Sequence, residues 1–119
     1  MKKYEIYLKA SAAILEFGHC HGRFKDDEGR MCLGGAINYA THGDALESWH
    51  DDAETLIKEV TPIVIDETAD TSLIWSKDRF SVTWNNLDTT KQSDVVAVLD
   101  AAAVLAMQEA GLEPEDVLQ

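Results

Sequence analysis

Both cysteines and two of the four histidines lie in one short stretch, GHCHGRFKDDEGRMCLGG, residues 18–35. Cysteine and histidine are common zinc ligands, and a cysteine can act as a nucleophile when a histidine serves as its base. The same stretch is rich in glycine, which is typical of a tight connection between two elements. Three interpretations are therefore open: a metal site, a catalytic cysteine, or a structural joint between helices.

The four candidate metal ligands are His19, Cys20, His21 and Cys32, to which the fold could add His42 or His50. Structural zinc sites take most of their ligands from compact pairs in which a few residues separate the two ligands. Here three ligands are adjacent instead, and in an extended segment His19 and His21 share one face while Cys20 points away. The sequence contains no second compact pair. We therefore expect these four residues not to bind a metal, and we expect no cofactor.

Catalysis would use Cys32, because it lies near the predicted start of a helix, where the helix dipole favours a lower thiol pKa. A cysteine hydrolase also needs a positioned base and a group that orients this base. His42 is one helix length away, roughly 15 Å, which is too far for a direct hydrogen bond. His19, His21 or His50 could serve only if the fold brought them close. A small buried cysteine beneath the glycines is the interpretation that we favour.

The expected cellular compartment follows from the number of cysteines and from the residues at the start of the sequence. Two cysteines in 119 residues do not form a disulfide framework, so we expect a reducing cytoplasm and no standing Cys20–Cys32 disulfide. Glu5, Lys9 and Glu16 interrupt the apolar start, which argues against a signal peptide. The apolar runs are also far shorter than the roughly 20 residues of a membrane span. The sequence predicts a soluble cytoplasmic protein with no membrane contact.

Apolar residues recur at helical spacing in four segments, which must position these side chains. The first helix should cover residues 3–17 with Gly18 as its C-cap, and the second should end at Gly43. The third should begin at Asp44, and the last should follow a Thr89–Gln92 capping box and end near Gly111. The predicted buried positions are Tyr4, Tyr7, Leu8, Ser11, Ile14 and Leu15; Leu33, Ile37 and Ala40; Leu46, Trp49, Ala53, Leu56, Ile57 and Val60; and Val95, Val98, Leu99, Ala102 and Ala106.

The joint between the first two helices has its own signals. DDEG at residues 26–29 predicts a turn, and its three carboxylates, from Asp26, Asp27 and Glu28, should cap or neutralise the start of the second helix. Gly34 and Gly35 each cost a helix about 1 kcal/mol relative to alanine, so we expect another helix backbone to approach closely there.

Together these features predict a mainly α protein with one compact domain, residues 1–119, of four to five helices. Alternating apolar residues in RFSVTW permit a short strand, and PIVID could form a short strand or a helix end. One short β-hairpin or strand pair around residues 62–84 is therefore an alternative for this segment.

Four segments of the chain form a recognisable pattern: GHCHG, DDEGRMCLGGAI, TWNN and TKQSDVVAVLDAAA. With this pattern, over about residues 5–105, the sequence resembles a family of small uncharacterised proteins from actinobacteria and their phages. His19 stands where the family pattern has tryptophan, and Asn86 stands where it has aspartate. The resemblance implies a helical fold and a bacterial or phage origin, and it implies no activity. The matching positions are Gly18, Cys20, Gly22, Asp27, Gly29, Arg30, Cys32, Gly35, Ala36, Ile37, Trp84, Asn85, Thr90, Val95 and Leu99.

The net charge of −12 is distributed unevenly along the chain. Residues 1–43 contain six basic and five acidic residues, a net charge of +1, whereas residues 44–119 contain four basic and 17 acidic residues, a net charge of −13. Such a surface repels phosphates and anionic lipids, so we expect no direct contact with nucleic acid or membrane. It favours solubility, and it also suits a protein partner with a basic surface.

The segment TWNNLDTTKQ could form a recognition surface, because tryptophan beside amides is typical of a protein hot spot. We favour a different interpretation, in which Trp84 anchors the core while Asn85 and Asn86 shape the turn and the cap that lead into the last helix.

Two functional classes fit the sequence. The first is a small acidic non-enzymatic interaction protein, in its specific form a phage or mobile-element accessory factor that mimics nucleic acid and inhibits a host defence or nucleic-acid-handling protein. The alternative is a small Cys/His-based enzyme or metal-binding protein that uses the 19–32 loop. We favour the first, because the sequence shows no complete catalytic constellation. The predicted partner-binding residues are Glu47, Asp51, Asp52, Glu54, Asp66, Glu67, Asp70, Trp84, Asn85 and Asn86.

Overall fold

The computed structural model describes residues 2–45, 55–60, 62–63, 85 and 90–113. In these residues three helices have defined bounds: α1 is Lys3–Phe17, α2 is Leu33–His42 and α3 is Gln92–Glu109. Residues 55–60 are helical as well. The predicted mainly α fold is therefore confirmed.

α1 is the central helix of the described core, because it packs against both α2 and α3. Its buried side runs through Tyr7, Ala10 and Ile14, at the spacing of one helical face. The buried side of α3 includes the small residues Ala102, Ala103 and Ala106, which allow close helix packing. This arrangement confirms the face predicted for the last helix, and the buried residues of α3 are Val95, Val98, Leu99, Ala102, Ala103, Ala106 and Met107.

One position on α1 was predicted wrongly. Leu15 is 62% exposed, whereas Ala13, on the other side of Ile14, is buried. The buried face therefore extends from Ile14 toward the small side chain of Ala13, and Leu15 lies about 100° beyond Ile14 on the solvent side.

The helix ends are set by local backbone chemistry. Gly18 has a φ of 98° and donates its N–H to the Ile14 carbonyl. Gly43 adopts the left-handed conformation after α2. Both C-caps were predicted correctly, and both conformations favour glycine because it lacks a Cβ atom.

The start of α3 differs from the prediction. Lys91 is the N-cap, and the Asp94 carboxylate accepts the Lys91 N–H at 2.9 Å. Gln92 is then the first helical residue, so the predicted Thr89–Gln92 capping box is wrong. A carboxylate in the first turn stabilises a helix in the same way, because it satisfies a free N–H and faces the positive end of the dipole.

The third predicted helix is described only in part. Leu56, Ile57 and Val60 are buried, as predicted. Its predicted N-cap, Asp44, is followed by a turn at Ala45, and the predicted positions Leu46, Trp49 and Ala53 lie outside the described residues. Residues 62–63 are helical. The rest of the predicted strand segment, up to residue 84, also lies outside the described residues.

Candidate functional site at the α1–α2 joint

Residues 18–32 connect α1 to α2 and contain most of the chemistry-bearing side chains; we call this loop the α1–α2 joint. The loop folds back on Met31, which is 3% exposed. The Cys20 N–H donates to the Met31 carbonyl at 3.1 Å, and the Met31 N–H donates to the Gly18 carbonyl at 3.0 Å. These two hydrogen bonds hold the ends of the loop together, so Gly18 and Cys20 lie beside Met31.

The acidic run of the joint caps its own turn. Asp26 accepts the backbone N–H groups of Glu28 and Arg30 at 3.0 and 2.9 Å, and it pairs with the Arg30 guanidinium at 2.6 Å. Desolvation acts to raise the pKa of Asp26, but the bonds from Arg30 outweigh it and lower this pKa. The expectation that the run caps α2 is therefore wrong for Asp26, because its carboxylate is already committed to the turn.

Cys32 is the N-cap of α2. Its Sγ accepts the Gly35 N–H at 3.3 Å, and the residue is 7% exposed. Burial raises the pKa of the Cys32 thiol, although backbone N–H groups at the helix start oppose the shift. The lowered thiol pKa that a catalytic Cys32 would need is therefore not found, and Cys32 is the small buried cysteine that the sequence analysis favoured.

Cys20 is also a buried structural residue. It is 8% exposed, and its Sγ lies 3.2 Å from the Arg23 carbonyl and 3.3 Å from the Arg30 carbonyl. Desolvation, with a contribution from Cys32, raises the pKa of Cys20 to about 11. Both cysteines are free and buried, so the predicted burial is confirmed. Neither environment favours the thiolate that nucleophilic or metal-binding chemistry requires.

The two histidines lie side by side. The ring centroids of His19 and His21 are 4.9 Å apart, with an angle of 79° between the ring planes. The two rings share one side of the loop, while the Cys20 thiol contacts loop carbonyls. This matches the expectation that His19 and His21 share one face and Cys20 points away. The Nε2 of His21 donates to the Thr90 carbonyl at 2.9 Å, because a carbonyl oxygen can only accept.

Asn85 connects the joint to a distant part of the chain. Its Oδ1 lies 2.7 Å from the Nε2 of His19 and accepts the Leu33 N–H at 3.0 Å, while its Nδ2 donates to the Cys20 carbonyl at 3.3 Å. Since Oδ1 accepts, the Nε2 of His19 must carry the proton. Asn85 is 1% exposed, so its side chain lies inside the protein and not on the predicted recognition surface. It caps α2, whereas we expected it to cap the last helix.

Gly35, in the first turn of α2, lies against the backbone of the joint. A Cβ atom at this position would lie 1.9 Å from the Phe24 carbonyl oxygen. The same carbonyl accepts the Cys32 N–H at 3.3 Å, so loop and helix start are in direct backbone contact. The predicted close approach is confirmed at Gly35, but the partner is the loop backbone and not another helix.

The chain matches a family of unknown function (DUF6197) over residues 2–105. It belongs to this family. No curated protein and no solved structure matches the chain. The DUF6197 match spans the joint together with Asn85 and Thr90, and several positions that carried the sequence resemblance, Cys20 and Cys32 among them, meet there.

The structure also bears on metal binding, on membrane-spanning helices and on the predicted partner-binding residues. Over the described ranges, no three His, Cys, Asp or Glu side chains are grouped so that they could hold a metal ion. No helix in those ranges is both long and apolar enough to cross a bilayer. Apart from Asn85, the predicted partner-binding residues lie outside the described residues: Glu47, Asp51, Asp52, Glu54, Asp66, Glu67, Asp70, Trp84 and Asn86.

Proposed function

We propose that this DUF6197 protein is a small non-enzymatic binding protein whose acidic surface contacts a basic protein partner in the cytoplasm. The observation that carries the proposal is the charge distribution, with a net charge of −13 in residues 44–119 against +1 in residues 1–43. A surface of one sign steers a partner of opposite charge and excludes nucleic acid. In its specific form, the protein is a phage or mobile-element accessory factor that mimics nucleic acid and inhibits a host defence or nucleic-acid-handling protein.

The α1–α2 joint supports a binding role over an enzymatic one. The Cys20 and Cys32 thiols are buried and have raised pKa values. The His19 and His21 rings each use one nitrogen to bind Asn85 or the Thr90 carbonyl. The alternative, a Cys/His-based enzyme or metal protein built on the 19–32 loop, would need a thiolate, which burial disfavours at both cysteines.

The test is a comparison of two triple charge reversals. The variant D51K/D52K/E54K changes three residues of the proposed surface, and the control E16K/D27K/E28K changes three exposed carboxylates in the first part of the chain by the same total charge. A partner captured from the source cell should be purified and titrated against both variants at low and high salt. We expect weaker binding for the first variant, near-normal binding for the control, and affinity that falls with salt.

The helical circular dichroism spectrum should be unchanged in both variants, which separates a lost contact from a lost fold. Equal binding by the two variants, or affinity that does not depend on salt, would show that the acidic surface is not the contact. The surface around Trp84 and Asn86 would then become the better candidate.

A further inference from the structure

A cavity of about 320 Å³ lies where the start of α1 meets the second half of α3 and residues 62–63. Its floor is apolar, with Tyr7, Ala102 and Ala106 between 2% and 7% exposed. Leu105 lines the cavity and is 46% exposed, so the cavity presents a large apolar side chain to solvent. We call this cavity the Leu105 groove.

Two carboxylates and one ammonium group form the rim of the Leu105 groove. The Nζ of Lys3 lies 3.0 Å from the Glu59 carboxylate and 3.6 Å from the Glu109 carboxylate. The hydrogen bond to Glu59 raises the pKa of Lys3 despite some desolvation, so the lysine is charged. The three groups together carry a net charge of −1. Their side chains are 39%, 42% and 69% exposed, and ion pairs this exposed are weak and exchangeable.

We infer that the Leu105 groove is the docking site for the basic protein partner. One apolar side chain of the partner enters the groove against Leu105, and an adjacent lysine or arginine displaces Lys3 from Glu59 and Glu109. The groove and such a partner are complementary in charge, because an apolar groove with an anionic rim on a chain of net charge −12 selects a segment that is both apolar and cationic. This inference rests on the proposed function and adds the place and chemistry of the contact.

The probe is a synthetic amphipathic helix of leucine and lysine with a fluorescent label, measured by anisotropy. A version with serine in place of leucine tests the apolar contact, and a version with glutamate in place of lysine tests the charge. Leu105→Ser is the main variant, and Leu15→Ser is its matched control, because Leu15 is an exposed leucine on the same protein but does not line the groove. Lys3→Gln removes the ammonium group that competes with the probe.

We expect Leu105→Ser to weaken binding of the leucine–lysine peptide roughly tenfold, as truncation of a hot-spot residue does, and to leave the serine–lysine peptide unaffected. Leu15→Ser should bind like the wild type. Lys3→Gln should bind more tightly, because it frees both carboxylates. In ¹⁵N–¹H spectra the peptide should shift the signals of Lys3, Tyr7 and the 102–109 segment.

The outcomes separate the groove from the wider proposal. If Leu105→Ser and Leu15→Ser bind the leucine–lysine peptide equally, while D51K/D52K/E54K loses binding of the captured partner, the docking inference is wrong and the acidic-surface proposal stands. If the lysine peptide binds the wild type no better than the glutamate peptide, both are wrong. Weaker binding by Lys3→Gln would also contradict the displacement of Lys3.

Discussion

The Nε2 of His19 lies 2.7 Å from the Oδ1 of Asn85, 66 positions later in the chain. The same oxygen accepts the Leu33 N–H, and the Asn85 amide group donates to the Cys20 carbonyl. One buried side chain therefore holds the loop, the start of α2 and the segment before α3 in a fixed relation. Each donor or acceptor that loses such a buried partner costs about 1–3 kcal/mol, so this position should dominate the stability of the joint.

Replacement of Asn85 by alanine should lower the free energy of unfolding by at least about 2 kcal/mol, because it removes the partners of the Leu33 N–H and the Cys20 carbonyl together. Urea denaturation followed by circular dichroism measures this change. Asn85→Asp keeps the oxygen that accepts the Leu33 N–H, but it places a second oxygen against the Cys20 carbonyl and adds a charge at a buried position, so it should be destabilised as well. Wild-type stability in the alanine variant would show that the hydrogen bonds of Asn85 do not hold the joint.

The stability of the protein should fall as the pH drops below about 6.5, because His19 is held in its neutral form. Desolvation lowers the pKa of His19, and the neighbouring His21 adds to this effect, while the bond to Asn85 and the charge of Asp94 oppose it. A folded-state pKa below the unfolded value means that the unfolded chain binds more protons. The stabilisation from neutral His19 is therefore complete above the pKa that His19 has in the unfolded chain. It is lost as the pH falls through the lower pKa that His19 has in the folded protein.

His19→Gln provides the control for this pH dependence, since glutamine has an N–H donor but does not titrate. The difference in unfolding free energy between wild type and variant should shrink or reverse between pH 7.5 and pH 5.5. Parallel pH curves for the two proteins would assign the pH dependence to other groups.

Gly35→Ala should destabilise the protein although alanine is the better helix former. The added Cβ would meet the Phe24 carbonyl oxygen at 1.9 Å, and backbone cannot move aside as a side chain does. We expect a net loss of roughly 1–3 kcal/mol, typical of overpacking, after the gain of about 1 kcal/mol in propensity. The control Gln108→Ala, at an exposed position of α3, should change the free energy of unfolding by no more than about 0.5 kcal/mol. Equal effects of the two substitutions would contradict the close approach.

Cys20 and Cys32 should react slowly with a thiol reagent in the folded protein and rapidly in denaturant. Both residues are buried, and the pKa of Cys20 is raised to about 11, so little thiolate is present at neutral pH. Colorimetric titration with a disulfide reagent measures both rates. Fast reaction of either cysteine without denaturant, or one equivalent of zinc in protein purified without chelator, would argue for a chemical role.

The sequence predicts helices well here and tertiary partners poorly, for a physical reason. Helical periodicity and C-cap glycines act within a few residues, so the bounds of α1 and the end of α2 could be read directly. The links of Asn85 to Cys20 and Leu33 span 65 and 52 positions, and no local pattern encodes such pairs. At Cys32 the helix start is visible in the sequence and favours a lower thiol pKa, whereas burial depends on the whole fold, raises this pKa and has the larger effect.

Tyr7 and Lys3 should show how differently a buried and an exposed contact stabilise the same region. The Tyr7 hydroxyl is buried and donates to the Leu56 carbonyl at 3.1 Å, linking α1 to the helical residues 55–60. Tyr7→Phe should lower the free energy of unfolding by about 1 kcal/mol or more, because the carbonyl loses its buried donor. Lys3→Gln breaks two exposed ion pairs and should change it by less than about 1 kcal/mol. Urea denaturation at low and high salt separates the two effects, since only the lysine contribution should depend on salt. A larger loss for Lys3→Gln than for Tyr7→Phe would mean that the ion pairs, and not the buried hydrogen bond, hold this side of the core together.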